Sequence, residues 1–355
     1  MSQTRLAVIG AGVMGARHAE LVCAHDKCSL VGICDMDPSR RSAADSFQVP
    51  FYTSAEELLE QEEPSGAIIA TSNAHHASVA EVCAKRSVHV LIEKPIADSI
   101  EMARHIIDIT KACGTRVLIG HHRRHNSLVL KARELVREGA LGKLIGASVL
   151  WALMKPDEYY DVGWRRERLV GGPTLINMIH DLDSLRFICG EITEIYAQTR
   201  SEVRGFDVED SLSISLCFEG GALGTVLASD ACPSPWSYEA TSRENPFYYH
   251  TDESCYHFLG ASGSLAFPAM ELWHYPNGAP KGWQHPMERV RITVDSGDPL
   301  LAQLEHFCRV VEGQEEPILD AEDATRSLAV ALAVQESALK GLPVNPSTLF
   351  PNIER

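Results

Sequence analysis

"RLAVIGAGVMGARHAELV" (residues 5–22) sets a short apolar run directly against Gly10-Ala11-Gly12-Val13-Met14-Gly15 and continues with helical periodicity. Glycines at this spacing occur in many turns, so their meaning depends on a strand before them, a helix after them and an acid about 20 residues further on. All three are present: a second apolar run, "SLVGICD", ends in Asp35, 20 residues beyond Gly15. Each glycine meets a different demand. Gly10 permits the tight turn, Gly12 lets the backbone approach a pyrophosphate, and Gly15 lets the helix pack close to the sheet. The helix start, with Ala11, Val13 and Met14 in the loop, then faces the phosphates with free N–H groups and the positive end of its dipole.

Asp35 and its neighbour Met36 fall where an adenosine ribose would sit. The Asp35 carboxylate can accept hydrogen bonds from ribose hydroxyls and would repel an added 2'-phosphate, which predicts NAD in preference to NADP; Arg40 and Arg41 moderate that preference. The alternative is that Asp35 and Asp37 only begin a turn at "DMDPSR". Strand and helix patterns go on alternating, with helices near 55–62, 76–86 and 99–113 and strands at 66–71, 89–95 and 116–120. This implies parallel pairing with right-handed crossovers, hence a doubly wound sheet over about the first 120 residues. Ligands of such sheets bind beyond the carboxyl ends of the strands. Thr71, Ser72, Asn73 and His76 of "TSNAHH", and Glu93, Lys94 and Pro95 of "EKP", therefore share one rim with the glycine loop. An isolated Glu-Lys-Pro would read as a solvated charge pair before a proline turn. At this rim the lysine sits where a nicotinamide would lie, and its ammonium can stabilise a substrate alkoxide as hydride leaves.

A chain of 355 residues exceeds most single cores and predicts two domains. The formal net charge of -16 opposes a nucleic-acid partner. No run approaches the roughly 18 apolar residues of a membrane span, and the first residues lack a signal-peptide pattern, so a cytoplasmic location away from membranes is expected. The ten cysteines are scattered without a CxxC pair and read as reduced thiols. "GHHRRHN" (120–126) lacks metal-ligand spacing and carries two arginines that would repel a cation, so no metal is expected.

The glycine run with Asp35, "TSNAHH", "EKP", "GHHRRHN" and "GGPTLINMIHDLDSLRFICG" (171–190) occur in an order and spacing that resemble the glucose-fructose oxidoreductase, inositol dehydrogenase and MocA (Gfo/Idh/MocA) family of NAD(P)-dependent oxidoreductases. The resemblance implies an α/β Rossmann domain joined to an α+β domain with a large open, mostly antiparallel sheet. That sheet often serves as an oligomer interface, which implies a homo-oligomer, dimer or tetramer. It also implies oxidation of secondary hydroxyls of sugars and cyclitols, or the reverse. By the same resemblance Lys94 is the catalytic lysine, His180 is the general acid/base, and the bond before Pro95 is cis. His122 and Arg123 would face the substrate, with surface solvation as their alternative.

The NAD-binding domain is expected over 1–123 and the substrate and oligomerisation domain over 124–355, with a last helix at about 320–340 packing back near the first domain. Read on its own, the second half carries β-branched and aromatic runs at 143–153, 192–201, 211–219, 222–231 and 289–295, which suit an antiparallel sheet. From Thr174 onward, steps of about 100° per residue put Asn177, His180, Asp181 and Ser184 on one stripe of a helix. An isolated helix would turn that stripe to water; matched with Lys94 it reads as the chemical face. An imidazole, with an ordinary pKa of about 6.5, suits removal of a hydroxyl proton near neutrality, which makes His180 the base. Lys94 stabilises the same oxygen and Asn177 orients the substrate. Asp181 either fixes the imidazole or serves only the helix, and Asp183 on another face is structural. Trp164, beside Arg165, would cover the site, with a buried tryptophan and a surface arginine as the alternative. "WSYEATSRENPFYYHTDESCY" (236–256) reads as a pocket wall or interface loop. Many family members carry an aspartate four residues before the histidine, where Ile176 stands here; Asn177 can replace its hydrogen bond but not its charge. The substrate is thus a sugar or cyclitol, or alternatively a less polar dihydrodiol. A nucleotide-binding sensor without turnover is the non-enzymatic alternative, and the presence of both Lys94 and His180 speaks against it.

Overall fold

The apolar runs that open the chain pair side by side in parallel. The computed structural model describes residues 3–168, 170–295 and 297–351. Strands β1 (Thr4–Ile9), β2 (Cys28–Cys34), β3 (Phe51–Tyr52), β4 (Gly66–Ile69), β5 (His89–Ile92) and β6 (Val117–Ile119) form a six-stranded sheet in the order β3-β2-β1-β4-β5-β6. The crossovers are α1 (Val13–Ala24), α2 (Arg41–Phe47), α3 (Ala55–Glu62), α4 (His76–Ala84) and α5 (Ile100–Cys113). Leu6, Ala7, Val8, Ala67, Ile68, Ile69, Leu91 and Ile92 are fully buried, as a parallel sheet covered on both faces requires. The strand order reverses between β1 and β4, and this switch point sets the ligand cleft at their carboxyl ends.

The second unit carries α6 (Ser127–Arg137), β7 (Leu144–Ala152), α7 (Ile179–Cys189), β8 (Ile192–Arg200), β9 (Ser211–Phe218), β10 (Leu223–Ser229) and α8 (Tyr238–Thr241). It continues with β11 (Tyr256–Gly260), β12 (Gly263–Phe267), β13 (Glu271–His274) and β14 (Glu288–Arg291). Its eight strands run in the order β14-β13-β12-β11-β7-β10-β9-β8, and all pairs are antiparallel except β7 with β10. Alternation is clean in β9 and β10: Leu212, Ile214, Leu216, Val226 and Ala228 point inward, while Ser213, Ser215, Leu223, Thr225 and Leu227 point outward. Strands β3 and β11 to β13 escaped the sequence reading. They are only two to five residues long, too short to establish a period.

The expected boundary needs one correction. The first unit comprises the residues up to His125 together with Asp298–Leu328, and the second runs from Asn126 to Gly297 and resumes at Ala329. The reason is α9 (Pro299–Val311), whose Leu304, Phe307 and Cys308 join the core formed by Leu6, Val8, Leu91 and Leu118. Asp298 starts that helix by accepting the Leu300 amide at 2.9 Å. The chain then passes from one unit to the other within α10 (Ala321–Lys340).

Candidate active site

The glycine loop after β1 lies so close to the residues after β4 that a Cβ on Gly10, whose φ is +101°, would stand 2.5 Å from the Ala70 carbonyl carbon. Gly15 meets an even nearer obstacle. Its Cβ would fall 1.8 Å from the Gly10 carbonyl oxygen, with the Val8 side chain only at 3.5 Å. The third glycine is therefore required by the loop folding over the first turn of α1, ahead of helix–sheet packing. A Cβ on Gly12 would meet nothing within 4 Å, and α1 has neither a side-chain cap nor an acid in its first turn. Open backbone at such a helix start fits a pyrophosphate. Two outcomes separate these roles. Gly15→Ala should destabilise the fold by about 3 kcal/mol, read as a lowered thermal midpoint, because backbone must move. Gly12→Ala should leave the midpoint unchanged and weaken only NADH binding, read by fluorescence titration.

Asp35 accepts the Ala11 amide at 2.7 Å through one oxygen and the Asp37 amide at 2.9 Å through the other. It pins the glycine loop, and a carboxylate oxygen with one such bond keeps a second lone pair for a ribose hydroxyl. Asp37 caps the following turn by accepting the Ser39 amide at 2.9 Å. Gly10, Gly12, Asp35, Met36, Arg40, Thr71 and Ser72 line a cleft of about 550 Å³. Ala11, Val13, Met14, Gly15, Asn73, Glu93, Lys94 and Pro95 lie outside its lining. Ser54, Glu56 and His75 line it without having been singled out from sequence. Of the two adjacent histidines, the cleft holds His75 rather than His76. Residues Asn73–His75 form a 3-10 turn, and α4 begins at His76 and carries it inward. There it is fully buried, with Nδ1 3.0 Å from the Pro95 carbonyl and Nε2 3.2 Å from that of Thr71. Burial lowers its pKa.

Lys94 directly follows β5, is half-buried, and forms a cis bond with Pro95. Glu93 beside it is buried. One carboxylate oxygen lies 2.7 Å from Nε2 of His18, itself buried in α1, and the other accepts the Lys94 amide at 3.2 Å. Burial alone would raise the Glu93 pKa, but the hydrogen bond and charge of His18, with the charges of Lys94 and His122, bring it down to about 2. A depressed carboxyl pKa stabilises the fold fully above the unfolded value of about 4.3, and that stabilisation is lost as pH falls toward the folded value. His18→Phe should therefore cost about 3 kcal/mol at pH 7, because it leaves a buried carboxylate without its partner. The gap to the parent should narrow at pH 4, where the orphaned carboxyl protonates; urea titrations at the two pH values check this. His122 is half-buried in the 3-10 turn His122–His125. Arg123 is 3% exposed, which overturns its surface alternative.

In the second unit the stretch Thr174–Met178 is a π turn that leads into α7. Glu209, another residue not singled out from sequence, accepts the Thr174 amide at 2.9 Å and its hydroxyl at 2.5 Å. Every residue from Ile179 to Ile188 is buried, so the stripe is not a solvated one. The polar side chains are consumed in pairs instead, as burial demands. Asp181 accepts the Tyr256 hydroxyl, the Ser184 hydroxyl donates to the His180 carbonyl at 2.8 Å, and Asp183 lies 3.8 Å from Arg186. Asp183 thus faces a cation of its own helix, whereas Asp181 meets a tyrosine of β11. His180 is 7% exposed. Asn177 is half-buried, and its Oδ1 is buried without a hydrogen-bond partner among the described residues. Trp164 is exposed while the Arg165 guanidinium stacks 4.0 Å from the Tyr159 ring, the reverse of a buried tryptophan with a surface arginine. The segment 236–256 divides: Tyr238 and Tyr256 are core residues, and Phe247 and Tyr249 are exposed.

Residues 4–121 match the model of an oxidoreductase family with an NAD-binding Rossmann fold, and residues 129–265 match that of the GFO/IDH/MocA C-terminal domain. The chain belongs to the Gfo/Idh/MocA family. It is an NAD(P)-dependent oxidoreductase. The 1,5-anhydro-D-fructose reductase of Ensifer adhaerens is 28% identical to it over 302 residues, which span 81% of this chain and 82% of that one. The myo-inositol 2-dehydrogenase of Thermotoga maritima is 25% identical over 347 residues, 94% of this chain and 96% of that one. The fold recurs in an oxidoreductase from Agrobacterium radiobacter solved with NAD+, L-tartaric acid and magnesium, with a TM-score of 0.82, 20% identity, and coverage of 98% of this chain and 100% of that one.

Proposed function

We propose that this enzyme transfers hydride between NAD and a secondary hydroxyl of a sugar, cyclitol or related cyclic polyol. The observation that carries the reading is Lys94 at the carboxyl end of a Rossmann strand, backed by the ionised, buried Glu93. The names of the Ensifer and Thermotoga relatives, a sugar reductase and a cyclitol dehydrogenase, support the substrate class. When bound, the nicotinamide supplies the hydride acceptor. The residues of the chain do the rest. The Lys94 ammonium donates to the substrate oxygen and stabilises its developing negative charge, His180 removes the hydroxyl proton, and Asn177 offers its unpartnered oxygen to a second hydroxyl. Trp164 and His122 flank the substrate in this reading.

NAD is preferred over NADP because Asp35 and Glu56 both line the cleft and would repel a 2'-phosphate, while Arg40 lies 4.0 Å from Asp37. The outward face of the second sheet, with Leu223 62%, Leu227 58% and Leu259 43% exposed, supports a homo-oligomer built through it. All ten cysteines are free, which supports a reducing compartment such as the cytoplasm. Incubation with NAD+ and a panel of sugars, cyclitols and dihydrodiols, followed at the absorbance of NADH, tests the activity. Reduction of NAD+ by at least one ring polyol is expected; no reduction by any of them, with NAD+ still bound, removes the reading.

A further inference from the structure

Among the described residues, three buried polar atoms without hydrogen-bond partners belong to the segment that leads up to α7. They are Nζ of Lys155, Nε of Arg165 and Oδ1 of Asn177. Unsatisfied buried groups in a folded protein call for an explanation, whether a ligand, an ordered water or a strained contact. Lys155 is 6% exposed, and its ammonium stands 3.6 Å from Asp230, beyond hydrogen-bond length. The Asp230 carboxylate is already engaged: it accepts the Tyr160 hydroxyl, and Nε of Arg204 at 3.2 Å. Burial lowers the Lys155 pKa to about 8. The Tyr159 ring meets two cations, with Lys155 Nζ 4.5 Å and the Arg165 guanidinium 4.0 Å from its centre. Two cations, Lys155 and Arg204, thus share one buried carboxylate, and a third, Arg165, lies against the Tyr159 ring.

The cluster adjoins the helix of His180. Gly171, just ahead of the π turn, lies so near the cluster that its Cβ would be 2.5 Å from the Arg165 carbonyl oxygen. Tyr256, paired with Val149 near the end of β7, reaches Asp181. The chain runs on from that end of β7 to Lys155, so Lys155 and the start of α7 stand at the same end of the sheet.

We propose that Lys155 and Arg165 bind a carboxylate of the substrate, so that the enzyme takes a hydroxy acid or sugar acid in preference to a neutral polyol. The carboxylate displaces the Tyr159 ring, which cation–π contact holds over Lys155, and gives both unsatisfied nitrogens an acceptor. This inference rests on the hydride-transfer reading above and narrows its substrate class.

D-gluconate and D-galactarate are compared with D-glucitol and myo-inositol, both as substrates with NAD+ and by calorimetric titration of the NAD+-bound protein. The acids should bind and turn over more efficiently. Lys155→Met should raise KM and Kd for the acids by about 100-fold, as loss of one partner of a desolvated charge pair does. Arg165→Gln, which gives up only contacts to the Tyr159 carbonyl and to the Tyr159 and Trp164 rings, should act in the same direction without unfolding the protein, checked by its thermal midpoint. Acids that bind with this dependence but never reduce NAD+ would keep the anion site and remove the hydride-transfer reading. Equal handling of acids and neutral polyols, unchanged in Arg165→Gln, overturns the proposal and leaves that reading standing. Binding of neither class to a folded protein also overturns it.

Discussion

Replacing Lys94 with methionine is expected to lower kcat by about 10²- to 10³-fold, the scale on which loss of one donor to a developing oxyanion acts. Methionine keeps the length and apolar stem of the side chain and removes the charge. The neighbouring hydrogen bond between Glu93 and His18 at 2.7 Å remains, and His18 lowers the Glu93 pKa more than the lysine charge does, so the fold should survive. Steady-state kinetics on the best substrate, with NADH binding as control, checks this. The diagnostic pattern is a fall in kcat with little change in the affinity for NADH. A variant that turns over normally would show that Lys94 takes no part in the chemistry. A variant that no longer binds NADH would assign the lysine to the cofactor instead.

His180→Asn should cost about 10²- to 10⁴-fold in kcat/KM, the usual contribution of a positioned general acid or base. The substitution leaves the backbone carbonyl that accepts the Ser184 hydroxyl, so α7 keeps that contact. Loss of rate alone could come from a disturbed buried helix. The pH profile separates the two causes. Removal of a base flattens the limb along which activity falls on acidification, whereas a packing defect lowers the whole curve and keeps its shape. The combination with Lys94→Met should be less than additive if both groups act on one oxygen.

The glycine loop was legible because its requirement is local. Gly10 and Gly12 answer to backbone conformation and approach, and the spacing to Asp35 follows from the length of one helix and one strand. The position of Gly15 was legible too, but its nearest contact was not. That the first obstacle is the Gly10 carbonyl, at 1.8 Å, depends on how the loop closes over α1. His75 and His76 are indistinguishable in composition, and only the change from 3-10 turn to α-helix between them turns one to the cleft and buries the other. The stripe on α7 shows a related limit. An ideal helical wheel assigns faces without knowing what lies against them, and here every residue from Ile179 to Ile188 is buried.

The sequence by itself determined the doubly wound half and the cofactor class, and its resemblance to the family nominated Lys94 and His180 as the pair to test. The first two depend on periodicity, on glycine geometry and on residue types at fixed short spacings, all of which are written along the chain. Tertiary structure decided what cannot be read along it. It returned α9 to the first core, brought His18 against Glu93 across 75 residues, and gave Asp181 to Tyr256 across another 75. It also collected Lys155, Arg204 and Asp230 around one point. In each case the partner is chosen by burial: a polar group removed from water must find whatever complementary group the fold brings near, and sequence distance does not enter that choice.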